Sequence, residues 1–284
     1  MTLIDKPGVY PGISNDDYHA DAEWLSSSAL KRMLPEYTEP EDDTALRFGS
    51  FFHTVVLEPE HLATDYVVLD AKKIGVLKDG SPAVNPTTTA AWKAALAEAK
   101  KDGREVVSQE DWDKAHRMAE AVHRHADAAL LLHAGEGSYE ESAFWADENG
   151  VQHKARFDRR IPGAVIDLKS TSTRMTDEKL AEATFNHLYH LSAAHYLTVA
   201  KGLGLDVEEF WFVFVSKSEP HHVLVRDLNP AFLAHGHAKR AEALDFAANG
   251  VRGTGTLQPP RWARLDGITA TIPADFNWSI HDYA

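Results

Sequence analysis

The sequence contains no cysteine, and this absence removes several classes of chemistry. Disulfide bonds, thiolate zinc sites, iron–sulfur clusters and cysteine nucleophiles all require this residue. No apolar run approaches the roughly 20 residues that a membrane-spanning helix needs. The start, MTLIDKPGVYPGIS, also lacks the basic and apolar regions of a signal peptide. We therefore expect a cytosolic protein without membrane association.

The chain also has fewer basic than acidic residues. The chain has 43 acidic and 29 basic residues, which gives a net charge of −14 at pH 7. A protein that coats nucleic acid needs a broad basic surface, so this class is disfavoured. Electrostatic fields are local, however, and a basic channel within an acidic protein remains compatible with these numbers. With 284 residues, 44% of them hydrophobic, the chain can form one elaborated domain or two small ones.

A β-hairpin is predicted over residues 153–171, with an alternating pattern that begins at Val151. Apolar and polar residues alternate on both sides of Pro162-Gly163, a pair that supplies the backbone angles of a tight turn. The alternation places Asp167 and Lys169 on one face, and pairing of the strands brings Asp158 beside them. Two carboxylates and an ammonium group at one strand end suit a divalent cation and an attacking water molecule.

Asp158, eight intervening residues and then Asp-x-Lys form the core of the PD-(D/E)XK nuclease pattern. A solvated strand edge rich in charged residues is the alternative interpretation of such a short motif. Residues 154–174 contain only two acidic residues, Asp158 and Asp167. The same segment contains six basic residues, Lys154, Arg156, Arg159, Arg160, Lys169 and Arg174. The most basic part of an acidic chain fits a phosphate-bearing substrate, although a solvated basic face has the same composition.

The rest of the chain predicts a mixed α/β fold. Periodicity and turn residues predict helices over 28–34, 45–57, 89–101, 108–132, 176–202 and 230–249. They predict further strands over 66–69, 139–146, 208–216 and 221–227. Strand 139–146 followed by the Asn149-Gly150 turn and the hairpin makes an antiparallel meander. Residues 71–89 are expected to be a long loop, and 250–284 a tail over the body or a neighbouring subunit.

Several other side chains have both a functional and a structural interpretation. His53 lies in the apolar helix 45–57, where it is either a ligand or a core residue. Glu141 shares a strand face with Ala143 and Trp145, and we hypothesise that this is the face of Asp158 and Asp167, although register cannot be read from sequence. The 3–4 spacing in helix 176–202 predicts a face that contacts DNA or packs on the sheet, formed by Tyr189, Ser192 and Tyr196 with His190 nearby.

Five separated motifs together resemble one family, the nuclease domain of phage-type exonuclease VIII (RecE). They are GVYPGISNDDYHA, FGSFFHTVVLEPEHL, EESAFW, VIDLKSTS and PPRWA, and they occur in that family's order along almost the whole chain. The resemblance implies one nuclease domain over 1–284. Its catalytic core would be about 139–227, preceded by a helical part (1–135) and followed by a helix and tail (228–284). The implied fold is the PD-(D/E)XK core, an α/β (α+β) fold with a mixed central sheet flanked by helices.

The resemblance also implies an activity and a site. The activity is Mg²⁺-dependent digestion of linear duplex DNA from 5′ ends, leaving 3′ single strands for an annealing protein. His53, Asp158, Asp167 and Lys169 occupy the matching catalytic positions, and Glu141 matches an acidic position before the core. His53, Asp158, Asp167 and the carbonyl of Leu168 would be the metal ligands. Because an imidazole is among them, Mn²⁺ should also support activity.

Further expectations concern the DNA and the assembly. Arg156, Arg174, Tyr189, His190, Ser192 and Tyr196 are the predicted DNA contacts. Ser192 departs from the Gln-x-x-x-Tyr pattern of the superfamily, since the shorter hydroxyl cannot replace an amide. A ring-shaped homo-oligomer, with a tetramer favoured, is implied in the cytosol of a bacterium or a phage-infected host. The alternatives are a RecB-like endonuclease or single-strand nuclease, and a catalytically silent module that binds DNA ends.

Overall fold

A computed structural model describes residues 4–38, 43–77, 79–81 and 83–249 of the chain. The strands in this part are β1 Gly8–Tyr10, β2 Tyr66–Val68, β3 Glu105–Val107, β4 Ser138–Ala146, β5 Gln152–Ile161, β6 Gly163–Thr171, β7 Val207–Ser216 and β8 Val223–Asp227. The α-helices are α1 Asn15–Ala20, α2 Ser27–Arg32, α3 Thr44–Leu57, α4 Leu62–Asp65, α5 Ala71–Ile74, α6 Ala90–Lys101, α7 Gln109–Arg124, α8 Ala126–His133, α9 Asp177–Asn186, α10 Tyr189–Gly202 and α11 Pro230–Asn249. Short 3₁₀ helices occupy Pro59–His61 and Pro86–Thr88. None of these helices has both the length and the apolar character to span a membrane.

A six-stranded mixed sheet forms the centre of the molecule. Its strand order is β1-β4-β5-β6-β7-β8, and every neighbouring pair is antiparallel except the parallel pair β6–β7. The predicted meander of β4, β5 and β6 is therefore present. A separate two-stranded parallel sheet joins β2 and β3. The predicted fold class, a mixed sheet flanked by helices, is confirmed.

Helices cover both faces of the central sheet. On one face, Ile166 and Leu168 of β6 pack in a core with residues of α3, α7 and α8. On the other face, Val165 of β6 and the aromatic residues of β7 pack against α10. Because β6 and β7 are covered on both sides, apolar residues occupy consecutive positions along them, as is typical of buried parallel strands. The predicted central position of the aromatic strand β7 follows from this double burial.

The hairpin of β5 and β6 is short, and this shapes the sheet. Gly163 adopts a φ of 85° next to Pro162, which closes the turn. The antiparallel pairing of β5 and β6 runs from Ile161–Ala164 only as far as Arg159–Ile166. In contrast, β6 stays paired with β7 up to Thr171. The two strands of the hairpin therefore separate beyond Arg159 and Ile166, and a gap opens on one side of β6.

Two helices predicted as continuous are each interrupted once. His125 ends α7 in an extended conformation, and its ring Nδ1 accepts the Ala128 N–H at 3.3 Å to begin α8. Leu188 has a left-handed backbone (φ 53°) between α9 and α10. Both sites lie within apolar periodic sequence, so periodicity alone does not reveal the breaks.

The short elements β1, β3, α1, α4 and α5 were not predicted, because they contain too few residues to establish a period. The predicted long loop over 71–89 contains α5 and a 3₁₀ turn. The predicted tail over 250–284, including the PPRWA motif, lies outside the described residues.

The close packing of α10 and α11 depends on Gly236. A Cβ atom at this position would lie 2.1 Å from the carbonyl oxygen of His190. We predict that Gly236→Ala lowers the free energy of unfolding by about 1–3 kcal/mol, because the two backbones must move apart. Chemical denaturation measures this change.

The matched control is Gly49→Ala in α3, where the nearest heavy atom to an added Cβ is Ser170 Oγ at 4.0 Å. This substitution should leave stability unchanged or raise it by up to about 1 kcal/mol through helix propensity. Equal effects of the two substitutions would contradict the proposed helix–helix contact.

Candidate metal and catalytic site

A cluster of ionisable side chains lies where β5 and β6 separate. Four elements contribute to it: His53 comes from α3, Glu140 from β4, Asp158 from β5, and Asp167 with Lys169 from β6. Asp158 and Asp167 are buried, with 8% and 4% of their surface exposed. Carboxylates at this depth need partners or a bound cation.

The peptide group of Leu168 links α3 and β5 to β6. Its N–H donates to Asp158 Oδ2 at 2.8 Å, and its carbonyl oxygen lies 2.6 Å from His53 Nε2. Because β5 no longer pairs with β6 at this point, these two side chains satisfy polar groups that a continuous ladder would have satisfied. The same contacts fix the positions of the imidazole and the carboxylate.

His53 presents its other ring nitrogen to two carboxylates. A carbonyl oxygen can only accept, so Nε2 carries the proton that it donates to Leu168, and in the neutral ring Nδ1 is then the free acceptor. Nδ1 lies 3.6 Å from Asp158 Oδ2 and 3.7 Å from Glu140 Oε1. The candidate ligand atoms of His53, Glu140 and Asp158 all lie within 4.8 Å of one another.

This donor set fits a divalent cation. One imidazole nitrogen and two carboxylate oxygens converge from three elements, and a backbone hydrogen bond orients the imidazole, as is common for ligating histidines. Mg²⁺ prefers oxygen donors, whereas Mn²⁺ accepts oxygen and nitrogen donors. The carbonyl of Leu168, a predicted ligand, accepts from His53 in this structure, and Asp167 pairs with Lys169.

Arg156 holds Glu140 in the cluster. Its Nε donates to Glu140 Oε2 at 2.7 Å, while Nη1 donates to the carbonyl of Ile13 at 2.8 Å and to Ser142 Oγ at 3.2 Å. These partners occupy the guanidinium inside the protein. The structure therefore places Arg156 as a support for Glu140 rather than as a surface residue that faces DNA.

The register of β4 corrects the expectation for Glu141. The pairs Tyr139–Arg159 and Glu141–Phe157 leave Glu140 opposite Asp158. The carboxylate of Glu141 binds Arg160 through two contacts, of 2.5 Å to Nε and 3.0 Å to Nη2. Glu140, which has a left-handed φ of 44°, is thus the acidic residue of this strand that joins the cluster. Glu140 cannot be distinguished from Glu141 by sequence, because adjacent glutamates differ only in the strand register.

Lys169 is held between a carboxylate and an aromatic ring. Its Nζ lies 2.5 Å from Asp167 Oδ2 and 5.4 Å from the ring centroid of Tyr189. Lys31 of α2 lies over the same ring at 5.3 Å. Lys31 is not recognisable from the sequence, since nothing in the short helix α2 marks it as a neighbour of β6.

Burial and charge shift the protonation of the cluster. Burial by itself lowers the pKa of His53, but the carboxylates of Asp158 and Glu140 outweigh it and raise the pKa to about 9. Burial raises the pKa of Asp158 to about 7, with His53 acting in the opposite direction. Burial also lowers the pKa of Lys169, yet Asp167 and Asp158 reverse this and raise it above the ordinary value. The ammonium of Lys169 is therefore charged at neutral pH.

The remaining predicted DNA contacts differ in their placement. Tyr189 is half-buried beside Lys169, and Tyr196 packs its ring on Phe157. His190 is fully buried, with its Nδ1 3.1 Å from the carbonyl of Thr184, so it belongs to the core between helices. Ser192 is half-buried on α10, and Arg174 is exposed in the loop after β6. Of these side chains, Tyr189 contacts the cluster through Lys169. Arg174 is exposed to solvent a few residues after Lys169 in the sequence.

We predict that metal binding distinguishes Glu140 from Glu141. Mn²⁺ should raise the melting temperature of the wild-type protein by several degrees, because a cation at 100 times its Kd stabilises a fold by about 2.7 kcal/mol. Glu140→Gln should remove most of this shift, since it removes a charged oxygen donor. Differential scanning fluorimetry with and without Mn²⁺ measures the effect.

Glu141→Gln is the matched control, because it makes the same change one residue away in the pair with Arg160. It should keep the Mn²⁺-dependent shift even if it lowers the starting melting temperature. Loss of the shift in Glu141→Gln and its retention in Glu140→Gln would contradict the assignment.

A known structure shares the fold at low sequence identity. A provisionally assigned exonuclease from Eubacterium rectale has a TM-score of 0.53 and 13% identity, over 90% of this chain and 98% of that chain. The match to SSO0001 has a TM-score of 0.26 and 13% identity, over 71% of this chain and 88% of that chain. The match to an alkaline exonuclease from Laribacter hongkongensis has a TM-score of 0.29 and 11% identity, over 69% of this chain and 90% of that chain. The last two TM-scores are too low to carry an argument. No curated protein matches the chain.

A family assignment comes from the sequence itself. Residues 25–250 match the family described as a PDDEXK-like domain of unknown function (DUF3799). This range covers most of the chain and includes His53, Glu140, Asp158, Asp167 and Lys169. The match confirms the PD-(D/E)XK prediction that rested on Asp158 and the Asp-x-Lys tripeptide. The chain belongs to this PDDEXK-like family.

Proposed function

We propose that the protein is a metal-dependent deoxyribonuclease that hydrolyses phosphodiester bonds. The observation that carries this proposal is the convergence of His53, Glu140, Asp158, Asp167 and Lys169 where β5 and β6 separate. A protein that only binds DNA has no need for several buried carboxylates around one imidazole, because such carboxylates are unfavourable without a cation. The shared fold with the Eubacterium rectale protein that is provisionally assigned as an exonuclease supports the same conclusion.

His53, Glu140 and Asp158 would hold the cation. When bound, a divalent ion supplies Lewis acidity toward the phosphate and lowers the pKa of an attacking water. Its position is set by the chain: Arg156 orients Glu140, and the Leu168 peptide group orients Asp158 and His53. Arranging the donors in advance avoids reorganisation during the reaction.

Lys169 and Asp167 would act on the phosphate side of the site. The ion pair with Asp167 fixes the Lys169 ammonium at the end of the β6 segment that faces the cluster. From there the ammonium donates hydrogen bonds to a phosphate oxygen and stabilises the negative charge that builds up as water attacks. Asp167 would also be a further oxygen ligand of the cation when Lys169 contacts a phosphate. The Tyr189 ring limits how far Lys169 can move.

We further propose that the substrate is the end of linear duplex DNA. Digestion would run from the 5′ end and leave 3′ single strands for a strand-annealing protein, with Mg²⁺ as the physiological ion. The five RecE-like motifs support this substrate, polarity and role in recombination and repair. Residues 1–284 would form one nuclease domain. The protein would act as a homo-oligomeric ring, with a tetramer favoured, in the cytosol of a bacterium or phage-infected cell. A ring would reconcile a net charge of −14 with a basic inner channel.

Removing the phosphate-side charge should abolish hydrolysis without unfolding the protein. We predict that Lys169→Met reduces the cleavage rate of linear duplex DNA by at least about 10²-fold, because it removes a group that stabilises transition-state charge. Asp167→Ala should have an effect of similar size, because it removes the partner that fixes Lys169 and a predicted ligand of the cation. His53→Ala should be similarly severe in Mg²⁺. A gel-based cleavage assay gives the rates, and circular dichroism checks the fold. Near-wild-type cleavage by Asp167→Ala would refute this site.

Substrates labelled at one end identify the mode of digestion. We predict metal-dependent release of label from 5′ ends of linear duplex DNA, no cutting of closed circles, and no activity in EDTA. Separate 5′ and 3′ labels, tested in Mg²⁺ and Mn²⁺, distinguish the polarities. Cutting of circles would instead indicate an endonuclease. Binding of DNA ends without cutting in either metal would indicate a catalytically silent module.

A further inference from the structure

A second charged feature lies beside the catalytic cluster but is not part of it. The ring of Phe48, on α3, has the ammonium group of Lys114 at 5.3 Å and that of Lys217 at 5.0 Å from its centroid. Lys114 belongs to α7, and Lys217 follows β7 directly. Three separate parts of the chain thus bring two cations to one aromatic ring. We call these three residues the Phe48 cluster.

Neither ammonium group forms an ion pair within the part of the chain that the structure describes. Among the described residues, no carboxylate oxygen lies within the 4.0 Å ion-pair distance of Lys114 or Lys217, and neither amine donates a side-chain hydrogen bond. Burial and the nearby Lys114 lower the pKa of Lys217, with Asp111 acting in the opposite direction. Two like charges that share one ring repel each other unless an anion lies between or beside them.

The Phe48 cluster lines a cleft of about 910 Å³, which also contains Trp92. This volume falls within the range of about 300–1,000 Å³ that is typical of sites for small ligands. The cleft also has four acidic residues, Asp70, Glu105, Glu110 and Asp111, and three of them have hydrogen-bond or ion-pair partners. Glu105 pairs with Arg47, Asp70 accepts the Lys72 and Lys73 N–H groups, and Asp111 accepts the Ser108 hydroxyl. Hydrogen bonds from neutral groups leave the carboxylates of Asp70 and Asp111 charged, so the cleft carries both signs of charge. The two ammonium groups without an ion-pair partner among the described residues, Lys114 and Lys217, lie together at the Phe48 ring.

The backbone connects this cleft to the catalytic cluster by two short routes. Phe48 and His53 are five residues apart on α3, a rise of about 7.5 Å. Lys169 and Thr171 are two residues apart on β6, about 6.6 Å, and the Thr171 carbonyl accepts the N–H of Lys217 at 2.8 Å. Lys169 faces Tyr189 on the α10 side of the sheet, whereas Phe48 packs on the α3 side. A strand with its scissile phosphate at Lys169 would therefore reach the Phe48 cluster by passing around the end of β6, where Thr171 and Lys217 lie.

We propose that the Phe48 cluster is a binding subsite for a single-stranded polynucleotide, in which a base stacks on Phe48 and the phosphates contact Lys114 and Lys217. This proposal rests on the proposed nuclease function, because it assigns the path of the strand that leaves or enters that site. An aromatic face with flanking cations is the arrangement that binds single strands without reading their sequence. The subsite would keep the separated strand aligned with the cleavage position.

The test is equilibrium binding of fluorescein-labelled oligothymidylate in EDTA, followed by fluorescence anisotropy across a salt series. Lys114→Gln/Lys217→Gln should weaken binding and reduce the slope of log K against log [salt] by about 1.4, since each single-strand phosphate contact contributes about 0.7. Phe48→Leu keeps an apolar side chain but loses the flat ring. It should weaken binding about fivefold or more with the slope unchanged.

The matched control is Lys100→Gln/Lys101→Gln, which removes the same charge from exposed positions at the far end of α6. It should bind with wild-type affinity and slope. Equal behaviour of the two double variants would overturn the subsite, as would absence of single-strand binding by the wild-type protein. If Phe48→Leu does not fold, as judged by circular dichroism, the lysine variant carries the test.

Binding in EDTA is independent of cleavage, so the two proposals fail separately. If the wild-type protein cuts no DNA in any metal but loses strand binding in the lysine variant, the nuclease function fails and the subsite is supported. If the wild-type protein cuts DNA and the lysine variant binds the oligonucleotide with unchanged affinity and slope, the subsite alone is refuted.

Discussion

The peptide group of Leu168 is the point on which the candidate site depends. Its N–H binds the carboxylate of Asp158 and its carbonyl lies against the imidazole of His53, so one backbone unit orients two side chains from different elements. This is possible only because the β5–β6 ladder ends at Arg159 and Ile166 while β6 continues along β7. The N–H and carbonyl of Leu168 lose their hydrogen bonds to β5, and the bonds to Asp158 and His53 replace them. The break in the sheet is thus the feature that creates the site.

The charges around this break divide into two functional sides. Glu140 and Asp158 face the imidazole of His53 and form the part that suits a cation. Asp167 and Lys169 form the part that suits a phosphate, and Tyr189 borders it. Arg156 stabilises Glu140 from behind, and burial strengthens every one of these interactions by excluding water. The pKa values of His53 and Asp158 are both raised, so the cluster holds protons where a metal ion would bind.

Much of the fold was predictable, because Pro162-Gly163 fixes the β5–β6 hairpin and Asp167 and Lys169 share a face by simple alternation. The missed residue, Glu140, shows the limit. A two-residue Asn149-Gly150 turn would place Glu141 opposite Asp158. Instead the chain closes a three-residue loop, with the Asp147 N–H bound to the Val151 carbonyl, and the register moves by one residue to Glu140. Lys31 and the Phe48 cluster depend on contacts between distant segments, which no local pattern contains.

The most direct measurement for the metal centre is anomalous X-ray diffraction from crystals grown with Mn²⁺. The account predicts an anomalous peak within coordination distance of His53 Nδ1, Glu140 and Asp158, with Glu141 still paired to Arg160. Such a peak would show that the separation of β5 and β6 creates a metal site. Manganese bound elsewhere, or a fully loaded crystal without density between these three side chains, would contradict it.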